Sequence, residues 1–210
     1  MKRHDIIFEL NSTEKIVLNL DVPVHNLDCY SEAAIYFVGN AQYLLAKDSV
    51  QFKLQGLRGI LEKALGDRLL LHTSITRDIG YMYNEYRQGK PDFVYEFDPV
   101  VKYDAWVGYK YLLWGMQEIA WIYTNENNDI IFELTSCFPG DIINPDQDEL
   151  VSPEDIANSL WYEAWIKKYE PLLIRKMSRD IVQQWLDQAN ELINMIDHNT
   201  QVMLTNKKLI

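Results

Sequence analysis

The chain has 210 residues, 48% of them apolar and 24% charged, with a formal net charge of −11. That balance excludes a disordered or fibrous chain, two cysteines exclude a disulfide framework, and the absence of any stretch of about 18 apolar residues excludes a membrane-spanning helix. The length suits one domain over residues 1–210, and with no signal-peptide-like start a reducing cytoplasm is the simplest location.

Residues 5–24 read as two strands joined at Asn11-Ser12-Thr13, with Ile6, Phe8, Leu10, Ile16, Leu18 and Leu20 along one face. A short strand, Ala33 to Val38, follows and stops at Gly39-Asn40. From Asp48 to Gly66 the apolar residues Val50, Leu54, Leu57, Leu61 and Ala64 recur at helical spacing, although Val50, Phe52 and Leu54 also alternate like a strand. Asp48 and Gln51 resemble a capping box, and Gly66 stands where a left-handed cap is expected. Gly56 and Gly59 each cost that helix about 1 kcal/mol relative to Ala.

Aromatic, β-prone segments come next: Leu69 to Ile75, Gly80 to Tyr86, Phe93 to Val101 and Val107 to Trp114. Turn signals at Thr76-Arg77-Asp78, Gln88 to Pro91 and Tyr103-Asp104 suggest an antiparallel meander. It feeds the best-specified segment, Gln117 to Pro139, whose two apolar runs flank Asn125-Glu126-Asn127-Asn128. That loop places Tyr123 opposite Ile130, Trp121 opposite Phe132 and Ile119 opposite Leu134, leaving Glu118, Glu133 and Thr135 on the other face. A shorter Asn127-Asn128 loop slides the partners by two and keeps both faces.

After an acidic loop, Asp141 to Val151, Ser152-Pro153-Glu154-Asp155 forms a helix start, with Ile156, Leu160, Trp161, Ala164 and Trp165 on one side of the helix it opens. The last helix has Ser178 as N-cap and Ile181, Val182, Trp185, Leu186, Ala189, Leu192, Ile193 and Ile196 on one face. Together these elements predict an α+β fold, a mainly antiparallel sheet with about three helices packed on one side.

No motif carries a chemistry, so no catalytic residue, cofactor or metal is expected. His25 and Cys29 lie four apart but lack the further ligands of a zinc site. Asn144, Asp146 and Asp148 mimic a calcium loop, yet Glu149 stands where its tight turn needs Gly, and Asp155 where it needs Glu. Cys137 with His72, and Glu96 with Asp98, are the only nucleophile and acid-base pairings worth testing.

Charge and aromatics are more informative. Residues 88–165 hold 15 acidic and 3 basic side chains, whereas the remainder is nearly balanced at 16 and 17. A field of that sign repels nucleic acid and steers a basic partner. Tyr81, Tyr83, Tyr86, Tyr95, Tyr103, Tyr109 and Tyr111 lie in or beside this region, a composition that suits a protein-binding surface.

The hairpin WIYTNENNDIIFELTSCFP, the acidic loop and the helix DIVQQWLDQANELI, over about 115–196, resemble the small acidic immunity proteins that bacteria encode beside polymorphic or contact-dependent toxins. Such proteins are diverse and share no catalytic residues, so no residue is carried over. The resemblance implies a cytoplasmic, non-enzymatic protein that binds and blocks a toxin domain, often a basic nuclease. The densest acidic stretch, Asp141, Asp146, Asp148, Glu149, Glu154 and Asp155, is the expected partner-binding surface. The partner is then a protein, not nucleic acid or membrane. Two alternatives are a small-molecule binder or enzyme with a pocket lined by tyrosines and carboxylates, and a homo-oligomeric structural subunit.

Overall fold

The computed structural model describes residues 4–90, 93–98, 102–140 and 152–207. Among them the fold is α+β, with four α-helices; the single expected sheet is three antiparallel sheets.

The first sheet is a meander of β1 (His4–Glu9), β2 (Lys15–Leu20), β3 (Glu32–Val38) and β4 (Gln42–Ser49). Its register pairs Phe8 with Ile16 and Ile16 with Phe37, so the alternating apolar face read from the sequence is the buried one. β4 is not among the expected strands. A bulge opposite Ile35 and Tyr36 leaves Leu45 and Ala46 both buried, which breaks the period-two signal of that strand.

β4 runs directly into α1 (Val50–Leu65). Its N-cap is Ser49, whose hydroxyl accepts from the Phe52 amide, while Asp48 pairs with Lys53. At the other end Gly66 has φ −85°, and it is Asp67, at φ 54°, that takes the left-handed conformation.

The expected meander differs most. Leu69 to Ile75 is not a strand; it makes one parallel bridge, Leu70 to Thr124, and the Tyr111 hydroxyl donates to the Leu70 carbonyl while accepting from the His72 amide. Gly80 to Tyr86 belongs to α2 (Ile79–Arg87), because Ile79, Tyr83 and Tyr86 share a helical face that packs inward. The ribbon of β5 (Tyr95–Asp98) and β6 (Tyr103–Trp106) begins its second strand where a turn is expected. Residues 107–111 form a 3-10 turn before β7 (Leu112–Gly115).

β7 pairs with β8 (Glu118–Thr124), β8 with β9 (Ile130–Ser136) and β9 with β10 (Leu173–Met177), a strand the sequence does not announce. The β8–β9 register is one residue away from both expected alternatives: Trp121 faces Glu133, Ile122 faces Phe132 and Tyr123 faces Ile131. Asn125 and Asp129 close a three-residue loop in which Asn128 adopts φ 61°, a turn followed by a left-handed residue. A one-residue slip exchanges the faces of β9, and here it carries Glu133 and Thr135 inward beside Trp121.

This sheet is covered on both sides, not one. The Trp121 face meets Tyr83 of α2, ring centroids 5.3 Å apart, and the opposite face stacks Phe132 on Phe37 of the first sheet at 5.9 Å. α3 (Pro153–Ile166) lies beside α2, and α4 (Arg179–Lys207) packs along α1. α4 also sets the edge of Trp185 against Phe8, donates from the Trp185 indole to the Glu9 carbonyl at 2.7 Å, and from Gln188 to the Ile7 carbonyl at 3.0 Å. Among the described residues no helix is long and apolar enough to cross a membrane.

Candidate functional site

Of the six acids expected to meet a partner, Asp141, Asp146, Asp148 and Glu149 lie outside the described residues, as does the calcium-like string. Glu154 and Asp155 are exposed on the first turn of α3. Asp155 also closes the helix start, since its carboxylate accepts from the Ser152 amide and hydroxyl at 2.9 and 2.6 Å, and the Ser152 hydroxyl accepts from the Asp155 amide. Those hydrogen bonds hold its carboxyl below the usual carboxylate range.

α3 buries Tyr162 and Ile166 against Phe138 and Tyr169, a small apolar cluster separate from the main core. The Tyr162 hydroxyl donates to Glu85 of α2 at 2.6 Å. On the outer side Ile156, Leu160 and Trp161 are 52%, 62% and 50% exposed. Their spacing makes one contiguous stripe, bordered by Glu154, Asp155 and Glu163. Trp161 also sets its ring against Phe138, centroids 4.8 Å apart, and the rest of the stripe is an exposed apolar surface inside an acidic border.

The tyrosines divide. Tyr83 and Tyr86 pack around Trp106 and Tyr111 is fully buried, so these serve the core; Tyr109 touches Trp106 but is itself exposed, and Tyr95 and Tyr103 remain exposed on the β5–β6 ribbon. The other pairings do not assemble. His72 bonds Ser74 at 2.7 Å and stands 4.0 Å from Glu96, whereas Cys137 lies half-buried near Arg87, its thiol pushed up by burial and so a poor nucleophile. The Asp98 side chain lies outside the described part of the structure. Among the described residues no three His, Cys, Asp or Glu side chains converge as a metal site, and Cys29 bonds through its amide to Thr200.

Glu133 is the feature that sequence reasoning missed. It has no exposed surface. Its carboxylate accepts from the Gly80 amide in the first turn of α2 at 3.0 Å, from the Tyr123 hydroxyl at 3.0 Å and from the Thr135 hydroxyl at 3.3 Å. Thr135 in turn accepts from the Trp121 indole at 2.9 Å. Gly80 is required here, since a Cβ would overlap Thr135 Oγ1 and the Tyr169 hydroxyl. Burial dominates, raising the Glu133 carboxyl to about 7 although the three hydrogen bonds oppose it.

No protein-family model matches the chain, and neither a curated protein nor a solved structure matches it.

A cleft of about 790 Å³ opens beside the hairpin loop, lined by His72, Thr76, Asp78, Tyr123 and Asn125 among others. Its polar groups are largely engaged: His72 with Ser74, Arg77 stacked on Tyr81, and Asn125 with its own turn. Tyr123 turns its hydroxyl away to Glu133, which lies sealed behind it.

Proposed function

We propose that this chain is a non-catalytic acidic protein that binds and neutralises a basic protein domain, in the manner of a cytoplasmic immunity protein. The observation that carries the reading is the stripe Ile156, Leu160 and Trp161, exposed on α3 within an acidic border and within the segment that holds the chain's excess negative charge. Aromatic and aliphatic anchors supply the buried centre of an interface, and the surrounding carboxylates steer a positively charged partner onto it. The acids of 141–149 extend the same field in sequence.

The test uses the purified product of the gene adjacent to this one. Association is expected to be fast at low salt and to slow with ionic strength. Leu160→Asp should weaken binding by roughly tenfold or more without moving the unfolding midpoint, since Leu160 is 62% exposed, whereas Trp161→Ala should weaken binding and also cost the ring contact with Phe138. Neutralising Asp146, Asp148 and Glu149 to amides should slow association and flatten its salt dependence. No complex, or a salt-independent one that ignores the α3 substitutions, overturns the proposal. A concentration-dependent dimer broken by the same substitutions would reassign the stripe to a self-interface.

A further inference from the structure

α2 and α3 form a layer that meets the hairpin through the apolar face of Ile79 and Tyr83, the latter against Trp121, and through a few polar contacts. Asn84 of α2 donates to the Ser136 carbonyl at 3.1 Å and accepts from the Phe138 amide at 2.8 Å. The other polar contact is at Gly80, whose amide donates to Glu133 and whose missing Cβ admits Thr135 and Tyr169. Tyr169 stacks edgewise on Tyr81, and its buried hydroxyl lies beside Thr135 without a hydrogen bond of good geometry. α3 adds only its contact with Glu85 and the small cluster around Phe138. Glu133 thus sits where the whole layer meets β9.

We propose that Glu133 is a proton-operated latch: protonated, it seats the α2–α3 layer firmly on the hairpin, and ionised, it loosens that layer and the α3 face with it.

The surroundings give the latch its direction. Facing Glu133 are Tyr123 from β8, Tyr169 from the turn after α3 and Asp78 from the cap of α2, none of them a cation. No described Lys, Arg or His forms an ion pair with it, and Arg77, next to Asp78, is stacked on the Tyr81 ring. Three donors and the positive end of α2 offset part of the cost of a buried carboxylate, and Asp78 adds to it. The carboxyl stands at about 7 in the closed form against an ordinary 4.5 when opened to water. Below 4.5 both forms are protonated and the seat has its full strength; as pH rises through 7 the open form gains, up to a limit of about 300-fold.

Hydrogen exchange on the intact chain tests this between pH 5 and 8.5, after correction for the intrinsic exchange rate. The opening constant of α2 and α3 amides is expected to rise on the order of 100-fold and to stay larger than that of the buried α4 amides, which open only with the whole fold. In Glu133→Gln the rise should vanish. Should that variant fail to fold, Tyr123→Phe keeps the carboxyl but removes a donor that favours its ionised form, so the midpoint should move to higher pH. A pH-flat α2–α3 layer in the parent, or an equal rise in Glu133→Gln, overturns the latch. Only its effect on partner binding rests on reading α3 as the docking face: a pH-dependent layer with no partner retains the latch and removes that reading, and a partner bound by a pH-flat layer does the reverse.

Discussion

Trp121 and Glu133 stand directly opposite each other across the β8–β9 ladder, and neither has any exposed surface. They are joined through Thr135, which accepts from the indole and donates to the carboxylate. A tryptophan and an acid on one buried face are tolerable because every polar atom between them is bonded.

Trp121→Ala should therefore cost about 3 to 5 kcal/mol, the range for emptying an aromatic core site, with part of the loss from the Thr135 hydroxyl left without its donor. Urea unfolding at fixed pH measures it. A parent-like midpoint would mean that the face is not packed as described.

Glu133→Gln should leave stability unchanged near pH 4.5 and raise it by roughly 3 kcal/mol at pH 8. The sign follows from a folded-state carboxyl raised to about 7 from 4.5: the native form holds the proton longer, so stability is full below 4.5 and falls as pH rises through 7. Unfolding curves across that range should converge in acid and separate in base.

The Glu14–Arg175 pair gives the opposite slope. Arg175 of β10 donates from Nε and Nη2 to Glu14 at 2.8 and 2.7 Å, and these bonds hold the Glu14 carboxyl below its ordinary range. The pair ties the second sheet to the loop of the first. Arg175→Met should cost roughly 1 to 2 kcal/mol at pH 7. The difference should disappear in acid, since stability from a lowered carboxyl is present above 4.5 and lost as pH falls through the folded value.

Glycines separate by what surrounds them. Gly80→Ala must push against Thr135 and Tyr169 and should destabilise by about 1 to 3 kcal/mol or more. Gly59→Ala in α1 meets nothing within 4 Å and should stabilise by about 0.5 to 1 kcal/mol. Thermal midpoints moving in opposite directions would confirm the two environments.

The β1–β2 face, the start of α3 and the inner face of α4 were legible because each rests on one unbroken period and a cap. The hairpin register was not. Every residue of β8 from Ile119 to Thr124 is buried, so no apolar-polar alternation selects a pairing, and the Asn-rich loop admits several lengths. That single ambiguity hid Glu133, the most perturbed acid among the described residues, on the supposed polar face. α2 was misread because aromatic residues carry a strand preference that their helical spacing overrode once Trp106 and Trp121 offered a surface. The start of α3 is where its cap places it, but only the structure separates Tyr162 and Ile166, which are buried in the Phe138 cluster, from Leu160, which is exposed, and Trp161, which is half-exposed with its ring against Phe138.

The side chains of Trp185 and Gln188 consume the carbonyls of Glu9 and Ile7 on the strand that borders the first sheet. An extended peptide seeking to lengthen that sheet by backbone pairing finds those two acceptors occupied and α4 beside them, which disfavours strand addition along Ile7 to Glu9.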